Sequence, residues 1–510
     1  MADIQFDTKL TTPLIALGFI LAGLGLCLMV GAQIGWAIAA AAILWMMLIG
    51  NPRRLLGLYW VWVLIFPLGS LLVPSPLLKW VDEMLLASLL AVLLLHQILH
   101  YRGQSGLRGF GRSLGLLCLL IVLSAVLNRA PRVGVMHFCL QYMRSFLLFY
   151  YTLRFFAPKD ARLFFFGLAG SLLIQVGLNT GWLLGINPLP NRSRNLADFS
   201  VGSFDACNLV AYLAIAVFCL AMAYHHLAPR RAQRGWALVL AGLALFQVYI
   251  TYTFHALALL GICFAFQYLD SGRRWRGRLR TGMGMALGLV ALAGLLAALR
   301  PNNDALRRQL DPGYLSDRMS MMVEGPKGRA YREVVLYAPR DMPAPLFGAG
   351  PGNFGSMVGR MNRRPLAEQY INYLLTSVDV ISETQGFSIT SGPNTGFIAL
   401  WSELGPFGFL LYWGLHVFAL LRVRRQCKQK VYADPHLQAL ADAFVPTMAL
   451  WLILSAIVDY NYIPYLHGGL WIWAAMVWRS DQAAPAPAPV PASAPTQPTR
   501  RLPVHRFFEV

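Results

Sequence analysis

The segment CNLVAYLAIAVFCLAMAY, residues 207–224, contains no Asp, Glu, Lys or Arg. As a helix rising about 1.5 Å per residue it reaches about 27 Å, close to the roughly 30 Å of hydrocarbon in a bilayer. Lipid offers no partner to a bare N–H or C=O, so such a run is stable there only as a helix. Comparable runs precede it at 13–30, 34–49, 55–73, 84–99, 114–127, 137–157 and 163–186, and others come after it at 236–252, 254–270, 281–299, 396–421, 440–458 and 461–478. These fourteen segments predict an all-α polytopic membrane protein with about 12–14 transmembrane helices. The runs at 34–49, 114–127 and the pair between 236 and 270 fit the pattern least well. Composition points the same way: 57% hydrophobic and 13% charged residues exclude a water-soluble domain.

Lys and Arg alternate between the connections. One set holds Lys9, Arg53, Arg54, Arg102, Arg108, Arg112, Arg154, Lys159, Arg162, Arg230, Arg231 and Arg234, with the clusters Arg273–Arg280 and Arg422–Lys430. The opposite short loops hold only Lys79, Arg129, Arg132, Arg192 and Arg194. Short cytoplasmic loops are the basic ones, so both termini are expected in the cytoplasm and the stretch 300–395 on the outer face. The expected organisation is about eleven helices in 1–299, with a short outer loop at 187–207, then a large periplasmic loop at 300–395. About three helices follow in 396–479, and 480–510 is a Pro- and Ala-rich cytoplasmic tail whose composition favours disordered chain. The formal charge of +20 is explained by this topology and by anionic headgroups, which makes the bilayer, and not nucleic acid, the expected partner. No cleavable signal peptide is expected, since Asp3 and Asp7 precede the first run and no small-residue cleavage site follows it. The seven cysteines form no disulfide framework or zinc spacing. No internal repeat favours an inverted-repeat transporter.

The two outer loops carry the candidate chemistry. In 300–395, eleven Lys and Arg accompany nine Asp and Glu, with no His or Cys. Phe347-Gly-Ala-Gly-Pro-Gly-Asn-Phe-Gly355 predicts a turn with positive φ angles. Such a turn either presents N–H groups to an anion or is a tight connection. In 187–207, Arg192 and Arg194 run against the positive-inside bias. Guanidinium pairs bidentately with phosphate, so a phosphate ligand is one reading, and headgroup contact or plain surface charge is the other. Arg144 stands about seven residues into its span, about 10 Å below the outer edge. A charge there marks a function or an internally paired structural Arg. His255 and His467 read as satisfied polar residues of helices.

Arg329 followed by Tyr331, Pro345-Leu-Phe-Gly-Ala-Gly350, Asn394 and Leu400-Trp-Ser-Glu-Leu-Gly-Pro-Phe-Gly408 occur in that order. With Arg194 and Gly202–Asn208 ahead of a span, they resemble the O-antigen ligase and polymerase superfamily over residues 190–210 and 318–412. That family shows an Arg, a Pro-Leu-x-Gly-x-Gly turn, a His-Asn pair and a Leu-x-x-Glu-x-Gly-x-x-Gly helix entry. Pro393 stands where the family has His, and Phe254-His255 where it has Ser-Arg. The missing His points away from a lipid A-core ligase and toward a polymerase.

The resemblance implies a GT-C-like glycosyltransferase of the bacterial inner membrane. It would polymerise undecaprenyl-diphosphate-linked repeat units of exopolysaccharide or O-antigen at the periplasmic face, with no metal or other cofactor. Donor and acceptor glycans, chain-length regulators and other polysaccharide assembly proteins are the implied partners. Arg194 and Arg329 would hold the donor diphosphate, assisted by Arg192, Arg318 and Arg144. Arginines placed beforehand can stabilise the departing diphosphate, the duty a divalent ion would otherwise perform. Glu383 is the first choice of base, ahead of His255 and His467. Asn394 and Glu403 would contact substrate, or Glu403 would orient the helix entry. Tyr370, Tyr373 and Phe387 either stack on sugar or pack the loop. The alternatives are an O-antigen ligase, a lipid-linked oligosaccharide flippase, and a scaffold whose loop binds a partner. A flippase would have short loops and charge lining a central cavity, whereas ionisable residues here concentrate in one external loop.

Overall fold

The computed structural model describes residues 51–72, 76–99, 108–183, 202–204, 207–251, 345–362, 395–461 and 463–479, with isolated positions and short runs between 256 and 331. The predicted runs at 13–30, 34–49, 254–270 and 281–299 lie wholly or mostly outside the described residues, as do most of 300–395 and all of 480–510.

Helices α1 (Pro52–Leu72), α2 (Pro76–Leu99) and α3 (Arg108–Leu127) come first. Helix α4 (Arg132–Phe138) passes through a π-helical turn at Cys139–Met143 into α5 (Arg144–Phe155). Next come α6 (Asp160–Leu183), α7 (Cys207–Leu227) and α8 (Arg231–Ile250). A short α9 (Met357–Met361) precedes α10 (Gly396–Gln429) and α11 (Pro435–Ile457). A second π-helical turn at Pro464–Gly468 leads into α12 (Gly469–Arg479). No strand occurs among the described residues. Among the described residues six helices are long and apolar enough to cross a membrane, so the chain is an all-α, multi-pass membrane protein with the lipid bilayer as its surroundings.

Burial orders the bundle. Helix α7 is almost wholly buried, whereas little of α3 is. Helix α7 is thus central, packed on α6, α8 and α11, while α3 turns Leu116, Leu119, Val122 and Val126 outward. Lipid is as apolar as Leu, so helices associate in it through close fit and small residues. A Cβ at Gly468 would come 2.8 Å from Leu148, and one at Gly469 2.8 Å from Trp60. Trp471 sits edge-on to Phe146 and Phe149, with ring centres 4.8 and 5.3 Å away.

Contacts sort the connections to two ends. At one, Arg53 Nε donates to Phe155 O (3.0 Å), His436 packs on Phe165 and Tyr224, and Arg422 lies 5.7 Å over Trp478. The Lys- and Arg-rich connections around 53, 154–162, 225–234 and 422–430 share this end. At the other end the 128–134 connection meets residues 345–356, the start of α10 and the end of α11.

Helix boundaries depart from the apolar runs where charge is neutralised inside the fold. Helix α2 begins at Pro76, not near 84, and so takes Lys79, Asp82 and Glu83 out of a loop and into a helix. Arg144 is the reason. Its Nη1 lies 2.6 Å from Asp82 Oδ2, its Nη2 3.4 Å from Glu83 Oε1, and its Nε donates to Leu140 O at 3.1 Å. The Arg144 side chain is 2% exposed. Removing one partner of a buried pair costs about 3–5 kcal/mol, because the other charge is left uncompensated. Arg144→Met should therefore lower the unfolding temperature of the detergent-solubilised protein sharply, and adding Asp82→Asn should restore part of the loss. An Arg144→Met protein as stable as the parent would contradict the pairing.

Candidate functional site

The motif at the head of α10 explains itself residue by residue. Leu400 and Glu403 are fully buried. Gly405 takes φ 68° and ψ −178° inside the helix, a conformation favoured by glycine, and Pro406 has no N–H for the following turn. The helix breaks there. The freed carbonyls of Ser402 and Glu403 accept from Ala349 N (2.7 Å) and Gly350 N (3.1 Å). The Glu403 carboxylate accepts from Gly352 N (2.5 Å), Phe354 N (3.0 Å) and Ser356 N (2.9 Å). From α3, Ser124 Oγ lies 2.9 Å from Glu403 O and 2.5 Å from Phe347 O.

The loop is made to fit this head. Gly348 has φ 72°, and a Cβ there would come 2.5 Å from Glu403 C; one at Gly352 would come 2.3 Å from Gly134 O. The N–H groups of the glycine-rich turn thus receive the chain's own carboxylate. That corrects the reading in which they face a bound anion.

Three further attachments gather at the same end. The Met357 N–H at the start of α9 and the Tyr142 hydroxyl both donate to the carboxylate of Asp459, in the turn after α11. The N and Nδ2 of Asn461 lie 3.4 Å from Asp459 Oδ1. The Tyr331 hydroxyl donates to Ala456 O and accepts from Thr395 Oγ1 (3.0 Å). Upstream, Gly202 N donates to Asn179 Oδ1 (2.9 Å) and Ser203 N to Gln175 Oε1 (2.8 Å), while Phe204 stacks on Tyr465 with ring centres 4.5 Å apart.

Of the candidate site residues named from the sequence, the structure places Arg144, Glu403 and His467. Arg144 is paired with Asp82 and Glu83, and Glu403 binds the loop. Arg192, Arg194, Arg318, Arg329, Glu383 and Asn394 lie outside the described residues, as do His255, Tyr370, Tyr373 and Phe387. His467 is a buried polar residue of the helix interior, with Ser145, Asn461, His416 and Trp471 around it. Sequence reasoning passed over Asp82, Glu83, Tyr142 and Asp459. Asp459, an acid lying between two apolar runs only a few residues apart, was the one with a visible signal. Among the described residues no three His, Cys, Asp or Glu side chains come close enough to share a metal ion.

Fold and site together define a multi-pass α-helical membrane protein with a carboxylate-anchored glycine loop at one end. No family model matches the chain, and no curated protein matches it.

Hydrogen bonds to a charged group contribute about 1.5–3 kcal/mol each. Glu403→Gln keeps the shape but turns amide hydrogens toward main-chain donors, so it should cost at least about 2 kcal/mol and speed proteolysis within 345–356. Unchanged cleavage would refute the anchor. Asp459 lies outside the spanning helices, and burial pushes its carboxyl up to about 6, against the Tyr142 and Asn461 hydrogen bonds. The folded chain then binds this proton more tightly than the unfolded one. Its contribution to stability is full below the ordinary value of 3.8, declines as pH rises toward about 6, and is lost above that. Measured against Asp459→Asn, the parent's unfolding temperature should fall across that window; parallel curves would remove the effect.

Proposed function

We propose that the chain is a membrane glycosyltransferase that joins polyprenyl-diphosphate-linked repeat units, a polymerase of the O-antigen ligase and polymerase superfamily. One observation carries this reading. Gly202–Phe204, Pro345–Gly352 and Leu400–Gly408, the separate segments of the resemblance, are anchored at one end of the bundle, away from the end that gathers Lys and Arg. With the basic end in the cytoplasm, the site faces the periplasm of a bacterial inner membrane and both termini are cytoplasmic. Arg329 precedes the anchored Tyr331 by two residues, Asn394 precedes Thr395 by one, and Arg194 precedes Gly202 by eight.

In the reaction, the bond between the donor's anomeric carbon and its diphosphate breaks while an acceptor hydroxyl oxygen bonds to that carbon. The hydroxyl proton passes to a carboxylate. Arg194 and Arg329 pair with the diphosphate as its charge grows, assisted by Arg192 and Arg318. Glu383 is the base, with Asp459 as a second carboxylate on the same side. Arg144, already held by Asp82 and Glu83, positions α5 against α2. Asn394 contacts sugar, and Glu403 serves the site by shaping the loop. The buried Arg144 cluster is the feature that a lipid-linked oligosaccharide flippase would share.

Loss of one preorganised donor to a developing anion costs about 10²–10³ in rate. Arg194→Ala and Arg329→Ala, made separately in cells, should each abolish long glycan and leave single repeat units on the periplasmic side. Units trapped on the cytoplasmic side would mean flipping, and unchanged glycan length would leave a scaffold. The purified protein should extend a defined lipid-linked repeat in the presence of chelator; activity that stops on chelation would overturn the metal-free scheme.

A further inference from the structure

His416 of α10 and His467 of the second π-helical turn face each other inside the bundle, their Nε2 atoms 2.8 Å apart and their rings 10° from parallel. Both are fully buried. Each remaining nitrogen meets a main-chain carbonyl: His416 Nδ1 lies 2.9 Å from Tyr412 O, and His467 Nδ1 lies 2.9 Å from Asn461 O. A carbonyl oxygen only accepts, and a neutral imidazole has one N–H. If both rings place that hydrogen on Nδ1, two lone pairs confront each other at 2.8 Å. Two neutral rings are therefore one proton short of filling three hydrogen-bond positions. Trp471 Nε1, 3.1 Å from His467 Nε2 and 3.3 Å from His416 Nε2, is a donor to the same edge.

Ser145 offers a second arrangement. Its Oγ lies 2.8 Å from His467 Nδ1. When the hydroxyl donates there, His467 can donate from Nε2 to His416, and Asn461 O goes without its ring donor. We propose that the His416–His467 pair is a proton-binding site in the interior of the bundle, empty when Ser145 donates to His467 and filled when His467 donates to Asn461. On filling, a hydronium ion gives its proton to His467 Nδ1 and leaves as water. The pair then carries one positive charge shared across Nε2–H···Nε2, and Ser145 turns to accept.

The titratable and charged groups nearest the pair are Tyr142 in the first π-helical turn, Arg144 on α5, Tyr412 on α10, Asp459 and Tyr460 after α11, and Tyr465 beside His467; Glu403 stands at the head of α10, and Arg154, Arg422, Arg424, Arg425, Lys428, His436, Asp442 and Arg479 lie toward the basic end of the same helices. Helix α11 presents Trp451, stacked on His467 at 5.1 Å. Asp82 and Glu83 answer Arg144. Asp459 is the acid joined to the pair, through Asn461, whose carbonyl faces His467 and whose N–H groups face the carboxylate. Filling the site fastens the turn that holds Asp459, which links that turn to pH.

The test is nitrogen NMR of the full-length protein, labelled with ¹⁵N-histidine, in lipid nanodiscs as pH is lowered from neutral well into the acid range. A ¹⁵N–¹⁵N coupling across the hydrogen bond should join two histidines and vanish in His416→Gln and in His467→Gln. Acidification should add one proton to both rings together, with a single midpoint. Ser145→Ala removes the donor that favours the empty state, so uptake should move to higher pH. Absence of the coupling, independent or absent titration, or an unmoved midpoint in Ser145→Ala would overturn the proposal. The wild-type spectrum decides alone if a variant fails to fold. No glycan is involved in the readout, so this site and the glycosyl-transfer reading stand or fall separately.

Discussion

A single carboxylate, that of Glu403, organises the end of the bundle where the candidate site lies. A buried charge needs compensation, and here three main-chain N–H groups of one loop supply it. Those N–H groups converge because the loop's glycines take positive φ angles and approach α10 and the 128–134 connection more closely than any side chain would permit. Glu403 stands just before the break at Gly405. Holding the loop and breaking the helix are consequently one structural event, with Ser124 of α3 fastened to both parts.

Inside the bundle the polar groups obey a second rule. Two π-helical turns, Cys139–Met143 and Pro464–Gly468, lie next to the residues that carry charge or titrate. A π turn adds a residue to the helical repeat and re-aims the side chains beyond it. The first directs Tyr142 toward Asp459 and Arg144 toward Asp82; the second directs His467 toward Ser145 and His416. Irregular helix is tolerated at membrane depth where protein covers it, and Tyr142, Arg144, Tyr465 and His467 are buried.

Much of the helical framework was legible in the sequence, because hydrocarbon demands long apolar runs and the alternation of Lys and Arg accompanies them. The runs at 207–224 and 440–458 match α7 and α11 to within a few residues. Charged helix ends were not legible. Helix α2 extends through Asp82 and Glu83 only because Arg144, sixty-two residues from Asp82, neutralises them. The glycine-rich turn and the Leu-x-x-Glu-x-Gly helix entry were each visible, yet spacing alone does not show that one is the other's ligand, since Gly352 and Glu403 are 51 residues apart. The His416–His467 pair was hidden for the same reason, compounded by a π turn that apolar periodicity does not register.

Amide hydrogen exchange of the bilayer-embedded protein, resolved at Gly352, Phe354 and Ser356, bears most directly on the anchored loop. Slow exchange at all three, raised together to the rate of open chain when Glu403 is replaced by Ala, is the result expected from a carboxylate gripping the loop. Exchange in the parent as fast as in a free peptide would contradict it.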